Sequence, residues 1–472
     1  MHENKGQDLT RIPLKREIGL ATGILLVTGI MIGSGAFKKI APMARTGLSE
    51  PYILWAWIVA GIITIFGAFT YAGLSNLTDK SGGIYEYLRL IYGEFMSFFI
   101  GWNFFAIVGT GSIGALAFVF AESADAIFHF PVLFPALQDI SFAQFIYPFR
   151  GFSVKILAMS MIILLTVFNI RGIKHAGILN NVVTTAKVLG ILLLISAGIF
   201  YVGDPAAMLN PGSSVAPLKG AALFSGFFGA ILSAAWAYDG WANITFVTGE
   251  IKNPEKNLPY AIVGGVGIAM ILYVSLNFIY MKVLNLQQLA AIPDHKIAAA
   301  VVSETLFGRA GATLIVVLIL TCTFGALHGC IVSYPRISFR MAQEKVFFKK
   351  AAYVHPVFKT PYIAIIYSCV WSCVLVITGT FDLLTNLAVF TGYLFFGLAA
   401  AGLIIMKRKK KITKKVIGYP VIPIIIILFA MVLVTNTLIT ETKTSLMGLL
   451  LMFSGLPFYF WFKKNNPGKA DS

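Results

Sequence analysis

Charge is scarce in this chain. Of its 472 residues only 12% are Asp, Glu, Lys or Arg, about half the share of an ordinary soluble domain. Cysteine is scarcer still: Cys322, Cys330, Cys369 and Cys373 all fall inside apolar segments, where they read as small packing residues. No His/Asp/Glu or Cys/His metal spacing is present, nor a Gly-rich phosphate loop of P-loop form. No metal site or other cofactor is therefore expected, and a membrane enzyme has no catalytic cluster to work with. No Pro/Gly/Ser linker separates soluble domains, so residues 1–472 read as one integral domain. The first apolar run is too long for a signal-peptide core and many more follow it, so no cleavable leader is expected.

What fills the chain is apolar surface. Hydrophobic residues make up 58% and the mean hydropathy is +0.82. The apolar runs reach the ~20 residues that a helix needs to cross a bilayer. Twelve spans are expected, an all-α integral membrane fold. Five lie near 18–44, 52–74, 93–122, 154–171 and 177–202. Five more lie near 220–249, 258–283, 309–340, 361–379 and 381–406, and a trailing pair near 419–440 and 445–462. The segments 123–150 and 284–308 read as outer-face loops with room for short interfacial helices, and Ser81–Tyr87 as an inner-face loop.

The net charge of +17 does not mark a nucleic-acid partner, because the basic residues sit in short loops between spans. Twenty-six of the 37 Lys and Arg fall on the side of the N-terminus and 10 on the other, Lys187 lying within a span. This asymmetry places both termini in the cytoplasm, with the chain multi-pass in the cell membrane. The dense runs, Arg336 to Lys359 and Lys407–Lys415, read as topology determinants in contact with anionic lipid.

Two spans carry what a membrane helix avoids. Met31-Ile32-Gly33-Ser34-Gly35-Ala36-Phe37 puts two glycines near mid-span, each worth roughly 1 kcal/mol of helix stability relative to alanine. Close helix packing is one reading of them and a chain break the other. Trp236-Ala237-Tyr238-Asp239-Gly240-Trp241 puts a carboxylate where insertion costs at least ~2.5 kcal/mol. Asp239 either faces a cavity or caps an unwound end. The two interruptions head the first and second five-span blocks, and paired broken helices at matching places point to a midplane site in inverted-repeat transporters. Freed N–H groups at Ser34 and Gly35 suit a carboxylate, and freed carbonyls near Trp236 and Asp239 suit an ammonium. Together they read as a site for an α-amino acid, better matched to a zwitterion than to a channel. Lys187, in span 5, either snorkels to an interface under strain or stands as a fixed ammonium where a sodium ion would otherwise hold carbonyls together.

These residues resemble a known family. Gly33-Ser34-Gly35-Ala36-Phe37 resembles the Gly-Ser-Gly-Ile-Phe motif of the L-type amino-acid transporters, within the amino acid–polyamine–organocation superfamily. Tyr238-Asp239-Gly240-Trp241, followed by Glu250, Asn253-Pro254 and Asn257-Leu258-Pro259, is similar to that family's span 6 and its loop, and Thr185-Ala186-Lys187 to its span-5 lysine. The resemblance implies a LeuT-like fold of five-plus-five inverted repeats, 18–202 and 220–406, with an accessory pair at 419–462. It also implies sodium-independent exchange of neutral L-amino acids by alternating access. Ser34 and Gly35, beside Gly33, would bind the carboxylate through backbone N–H groups. Carbonyls at Met31, Trp236 and Asp239 would bind the amino group, with Ala237, Tyr238 and Gly240 completing the span-6 break. Trp236, commonly Phe in the family, would close over the substrate, and Lys187 would replace the sodium site. Segment 123–153 lacks the cysteine that links animal members to a heavy-chain glycoprotein, so a prokaryotic member without that partner is expected. His328 stands where relatives often carry Asn, and reads as a polar helix–helix contact, a proton-sensitive group or a pocket residue. Proton-coupled symport through Lys187, Asp239 or His328 is the alternative mechanism.

Overall fold

The computed structural model describes residues 18–78, 83–142, 146–171, 176–202 and 218–465. The expected basic N-terminus lies outside them. The first block holds α1 (Leu20–Met31), α2 (Ser34–Lys38), α3 (Ile40–Ala44), α4 (Glu50–Leu74), α5 (Gly83–Tyr92), α6 (Glu94–Asn103), α7 (Gly109–Phe128), α8 (Phe152–Ile170) and α9 (Ala176–Phe200). The second holds α10 (Gly220–Ala237), α11 (Pro254–Val283), α12 (Leu286–Ala290), α13 (Ala298–Ser333), α14 (Pro335–Gln343), α15 (Tyr362–Thr378) and α16 (Phe381–Arg408). Three helices, α17 (Val421–Thr440), α18 (Thr442–Phe453) and α19 (Gly455–Asn465), trail them.

Among the described residues nine helices are long and apolar enough to cross a membrane. Three shorter apolar helices, Leu20–Met31, Thr184–Phe200 and Tyr362–Thr378, stand where spans 1, 5 and 9 were expected. Equivalent members of the two blocks pack on one another, α4 against α11 and α7 against α13, and α1 lies along α11. Leu25, Trp55, Ile163, Leu189, Ile271 and Leu428 are exposed, which suits a molecule whose outer surface meets hydrocarbon rather than water.

One expectation needs correction. The segment Ser81–Tyr87 is not a loop over its described part. From Gly83 it is helical, with Ile84, Tyr85, Tyr87 and Leu88 buried. Its charged Glu86 is also buried, and is held one turn on by Arg89, whose Nη2 and Nε donate at 2.6 and 2.9 Å. The expected span 309–340 lies within the apolar helical run Ala298–Gln343, and its expected start coincides with a kink. α13 starts at Ala298, kinks at Gly308 (φ 68°) and stops at Ser333, because Pro335 has no N–H to continue the ladder. The expected span 445–462 lies within the apolar helical run Thr442–Asn465, which is divided at Ser454 into α18 and α19.

Candidate functional site

Both interruptions are real breaks, and they face each other. α1 ends at Met31, Ile32 is extended (φ −70°, ψ 90°), and α2 restarts at Ser34. α10 ends at Ala237, and Gly240 takes a left-handed φ of 93° before the tight turns Trp241–Glu250 begin. A side chain at Gly240 would be strained by that φ, and its Cβ would stand 2.7 Å from Ile30 Cγ2. The two broken helices press together at Gly35. A Cβ built there would lie 2.5 Å from the Ala237 Cβ and 2.6 Å from its Cα.

A helix that stops leaves its last carbonyls without intrahelical partners. Here three of those of α1 are met. Thr28 O accepts Ile32 N–H at 2.9 Å, Gly29 O accepts Lys187 Nζ at 3.3 Å, and Met31 O accepts the Tyr273 hydroxyl at 2.7 Å. Ile30 O has no donor among the described residues, and Ile30 lines the cavity. At the end of α10, Trp236 O accepts Asp239 N–H at 3.1 Å, and Ala237 O lies 3.0 Å from the same Tyr273 hydroxyl. One tyrosine on α11 thus bridges both broken ends, its single proton serving one carbonyl at a time. Seven residues on, and so on the same helix face, the Tyr280 hydroxyl reaches Ala36 O at 3.4 Å.

The breaks open into a cavity of about 670 Å³. Its wall includes Met31, Gly33, Ser34 and Gly35 from the first break, Trp236, Asp239 and Gly240 from the second, and Lys187. Asp239 is exposed to this space, so its carboxylate avoids lipid, as an ionisable residue at mid-span must. Ala237 does not line the cavity: it packs on Gly35. Tyr238 turns away from it, donating to Trp57 O at 3.0 Å and lining a smaller side pocket. His328 lines neither space and makes no hydrogen bond among the described residues, so the polar helix–helix contact expected of it is not made. Lys187 is 2% exposed and bonded to α1, which removes the snorkelling alternative.

The cavity runs toward Arg336, Arg340, Gln343 and Lys359, on the basic face. There the Tyr85 hydroxyl donates to Glu344 at 2.7 Å. Burial, and then the Glu344 carboxylate, push that phenol above its ordinary range, so it stays a donor. The opposite side is shut. The Trp236 indole donates to Ser34 Oγ at 3.1 Å and stands edge-on to Phe381 at 6.4 Å. Beyond Phe381 lie Lys38 and Lys39, whose ammonium groups sit 4.7 and 4.8 Å from its ring. Lys38 pairs with Glu122. Lys39 pairs with Asp382 at 2.7 Å and donates to Thr385 at 2.7 Å. Both lysines are almost wholly buried, and removing one member of such a pair typically costs ~3–5 kcal/mol. These are not loop charges, although they stand at the end of span 1.

Sequence reasoning missed Tyr273 and Tyr280. The tyrosines carried one faint signal, hydroxyls seven residues apart in an otherwise apolar span.

The sequence profile of the family described as amino acid permease matches residues 18–456. The serine/threonine exchanger SteT of Bacillus subtilis is 32% identical, over 96% of this chain and 98% of its own length. The b(0,+)-type amino acid transporter 1 of Mus musculus is 28% identical over 96% of this chain and 89% of its own. The large neutral amino acids transporter small subunit 2 of Homo sapiens is 29% identical, over 95% and 81%.

Proposed function

The chain belongs to the amino acid permease family, and within it we propose that the chain is a sodium-independent exchanger of neutral L-amino acids working by alternating access. It is an all-α multi-pass transporter of LeuT-like type, not an enzyme. The observation that carries the finer reading is the meeting of opposite backbone poles in one cavity. The first N–H groups of α2, at Ser34 and Gly35, are free to receive a carboxylate. Ile30 O, with carbonyls near Met31, Trp236 and Asp239, offers acceptors for an ammonium. Lys187 supplies the positive charge that a sodium ion would otherwise bring to the end of α1. The relatives named as exchangers or neutral amino-acid transporters support the same reading. The 18–202 and 220–406 blocks are read as the two inverted repeats, with 419–462 as the accessory pair. With the basic face cytoplasmic by its Lys/Arg excess, the cavity faces inward. No disulfide-linked heavy chain is expected, since segment 123–153 has no cysteine and the four cysteines lie within apolar helices.

Counterflow into proteoliposomes tests this. Uptake of a labelled neutral amino acid is expected only when the vesicles are preloaded with amino acid, and is expected to be unchanged when choline replaces sodium. Uptake into empty vesicles on a pH gradient alone would replace exchange with proton-coupled symport.

The closed side gives a second expected result. Trp236→Ala removes a buried hydrogen bond to Ser34 and an aromatic contact with Phe381. At roughly 1 kcal/mol each, exchange should fall by about tenfold or more through loss of occlusion. Trp236→Phe keeps an aromatic ring and should be tolerated while admitting bulkier substrates. Wild-type kinetics in Trp236→Ala would take the closing role away from this residue.

A further inference from the structure

Beside the main cavity lies a second space of about 130 Å³. The two share Trp236, Asp239, Asn243 and Tyr334, so the second is a side chamber of the first, on the far side of the α10 break. Asn103, the last residue of α6, lines it and is 0% exposed. Neither its Nδ2 nor its Oδ1 has a hydrogen-bond partner. A buried carboxamide with both ends open is rare, and each such group calls for an explanation. The two threonines of the chamber wall turn their hydroxyls onto nearby backbone of their own segments: Thr64 donates to Ala60 O at 2.8 Å and Thr245 to Ala242 O at 2.6 Å. Two features of the backbone make the room. Immediately after Asn103 the helix loosens into a π turn, Phe104–Val108, a distortion common at functional sites. Across the chamber Gly392 forms part of the wall, and a Cβ added there would meet nothing within 4 Å.

We propose that this chamber receives the substrate's side chain, and that the Asn103 carboxamide selects a small uncharged side chain bearing a hydroxyl or an amide. The inference rests on the amino-acid reading of the main cavity. A hydroxyl can accept from Nδ2 and donate to Oδ1 in one placement, and a carboxamide can do the same with its two ends. A methyl group of the same size can do neither, and leaves both Asn103 atoms unpaired in a space it has dried. Acidic side chains are excluded on charge, since Asp239 is the one charged residue on the chamber wall. A site that pairs its buried polar group with a substrate group discriminates strongly against the analogue that lacks it.

Threonine and valine differ by that one exchange of groups, so their relative counterflow reads the selection directly. Wild type should take threonine over valine by about tenfold or more. Asn103→Ala should bring the ratio close to one. Gly392→Val, which fills the chamber from the opposite wall, should lower threonine uptake relative to alanine. The wild-type ratio is measured first and does not depend on either variant folding. Equal uptake of threonine and valine by wild type would overturn the proposal, as would an unchanged ratio in a transporting Asn103→Ala protein. Lysine taken ahead of threonine would hand the selection to Asp239 and overturn it as well. If wild type exchanges no amino acid, the functional reading itself fails. If it exchanges valine as fast as threonine, the functional reading stands and only this inference is lost.

Discussion

Gly35→Val is expected to reduce exchange to background while the protein still inserts and remains monodisperse in detergent. An added Cβ would sit 2.5 Å from Ala237 Cβ, 2.6 Å from Ala237 Cα and 3.0 Å from Ala237 N. Two of those three are backbone atoms, which cannot rotate aside. Overpacking a well-filled site costs ~1–3 kcal/mol and moves backbone. Here the backbone that must move is the pair of broken ends whose spacing sets the site. Any shift separates the Ser34 and Gly35 N–H groups from the α10 carbonyls, and pulls on Met31 O and Ala237 O, which share the Tyr273 hydroxyl. Alanine alone carries the offending Cβ, so Gly35→Ala should show most of the loss. Gly267→Ala, in α11 where an added Cβ meets nothing within 4 Å, is the matched control for inserting a methyl group into this bundle. Near-normal counterflow by Gly35→Val would remove the substrate site from the α1–α2 break.

The reason for this glycine is not the one the sequence suggested. Two glycines in an apolar run admit either a break or close packing, and here both are present. Gly33 lies in the break, while Gly35 is already inside α2, pressed against α10. The breaks themselves were legible because glycine and an ionisable residue are costly in a spanning helix, and composition records that cost locally. What closes the opposite side was not legible. Lys38 and Lys39 find their partners 84 and 343 residues away, and no local pattern distinguishes a buried, paired lysine from an interfacial one. Tyr273 was hidden because a phenol in an apolar span reads as packing until its hydroxyl is seen between two helix ends. α5 was hidden for the opposite reason. Its first residues look like a polar turn, and their burial appears only when Glu86 is paired with Arg89 on the next turn.

Lys187→Ala is expected to lower the exchange rate by roughly ten- to a hundredfold, with a smaller loss of substrate affinity. The size follows from the bond it removes, a charge-assisted hydrogen bond of roughly 1.5–3 kcal/mol. The partition between rate and affinity follows from where that bond is made. Gly29 O lies one turn before the break, among carbonyls that α1 cannot satisfy itself, and Lys187 Nζ reaches it from α9. The two helices are closely seated there, because Thr184 occupies the space that a side chain at Gly29 would need. Losing the ammonium leaves that seat intact but releases the carbonyl. The end of α1 is then held less firmly, and the step expected to be most affected is the reorientation of α1, not the first contact with substrate. Lys187→Arg should rescue poorly, because a planar guanidinium needs more room and aims its donors differently from an ammonium. Sodium replacement separates this account from a purely structural one. Wild type should be indifferent to choline, and a sodium response appearing only in Lys187→Ala would mark the ammonium as the stand-in for a cation. Strong sodium stimulation of wild type, or ordinary exchange kinetics in Lys187→Ala, would leave Lys187 a buried packing residue and return the coupling mechanism to Asp239.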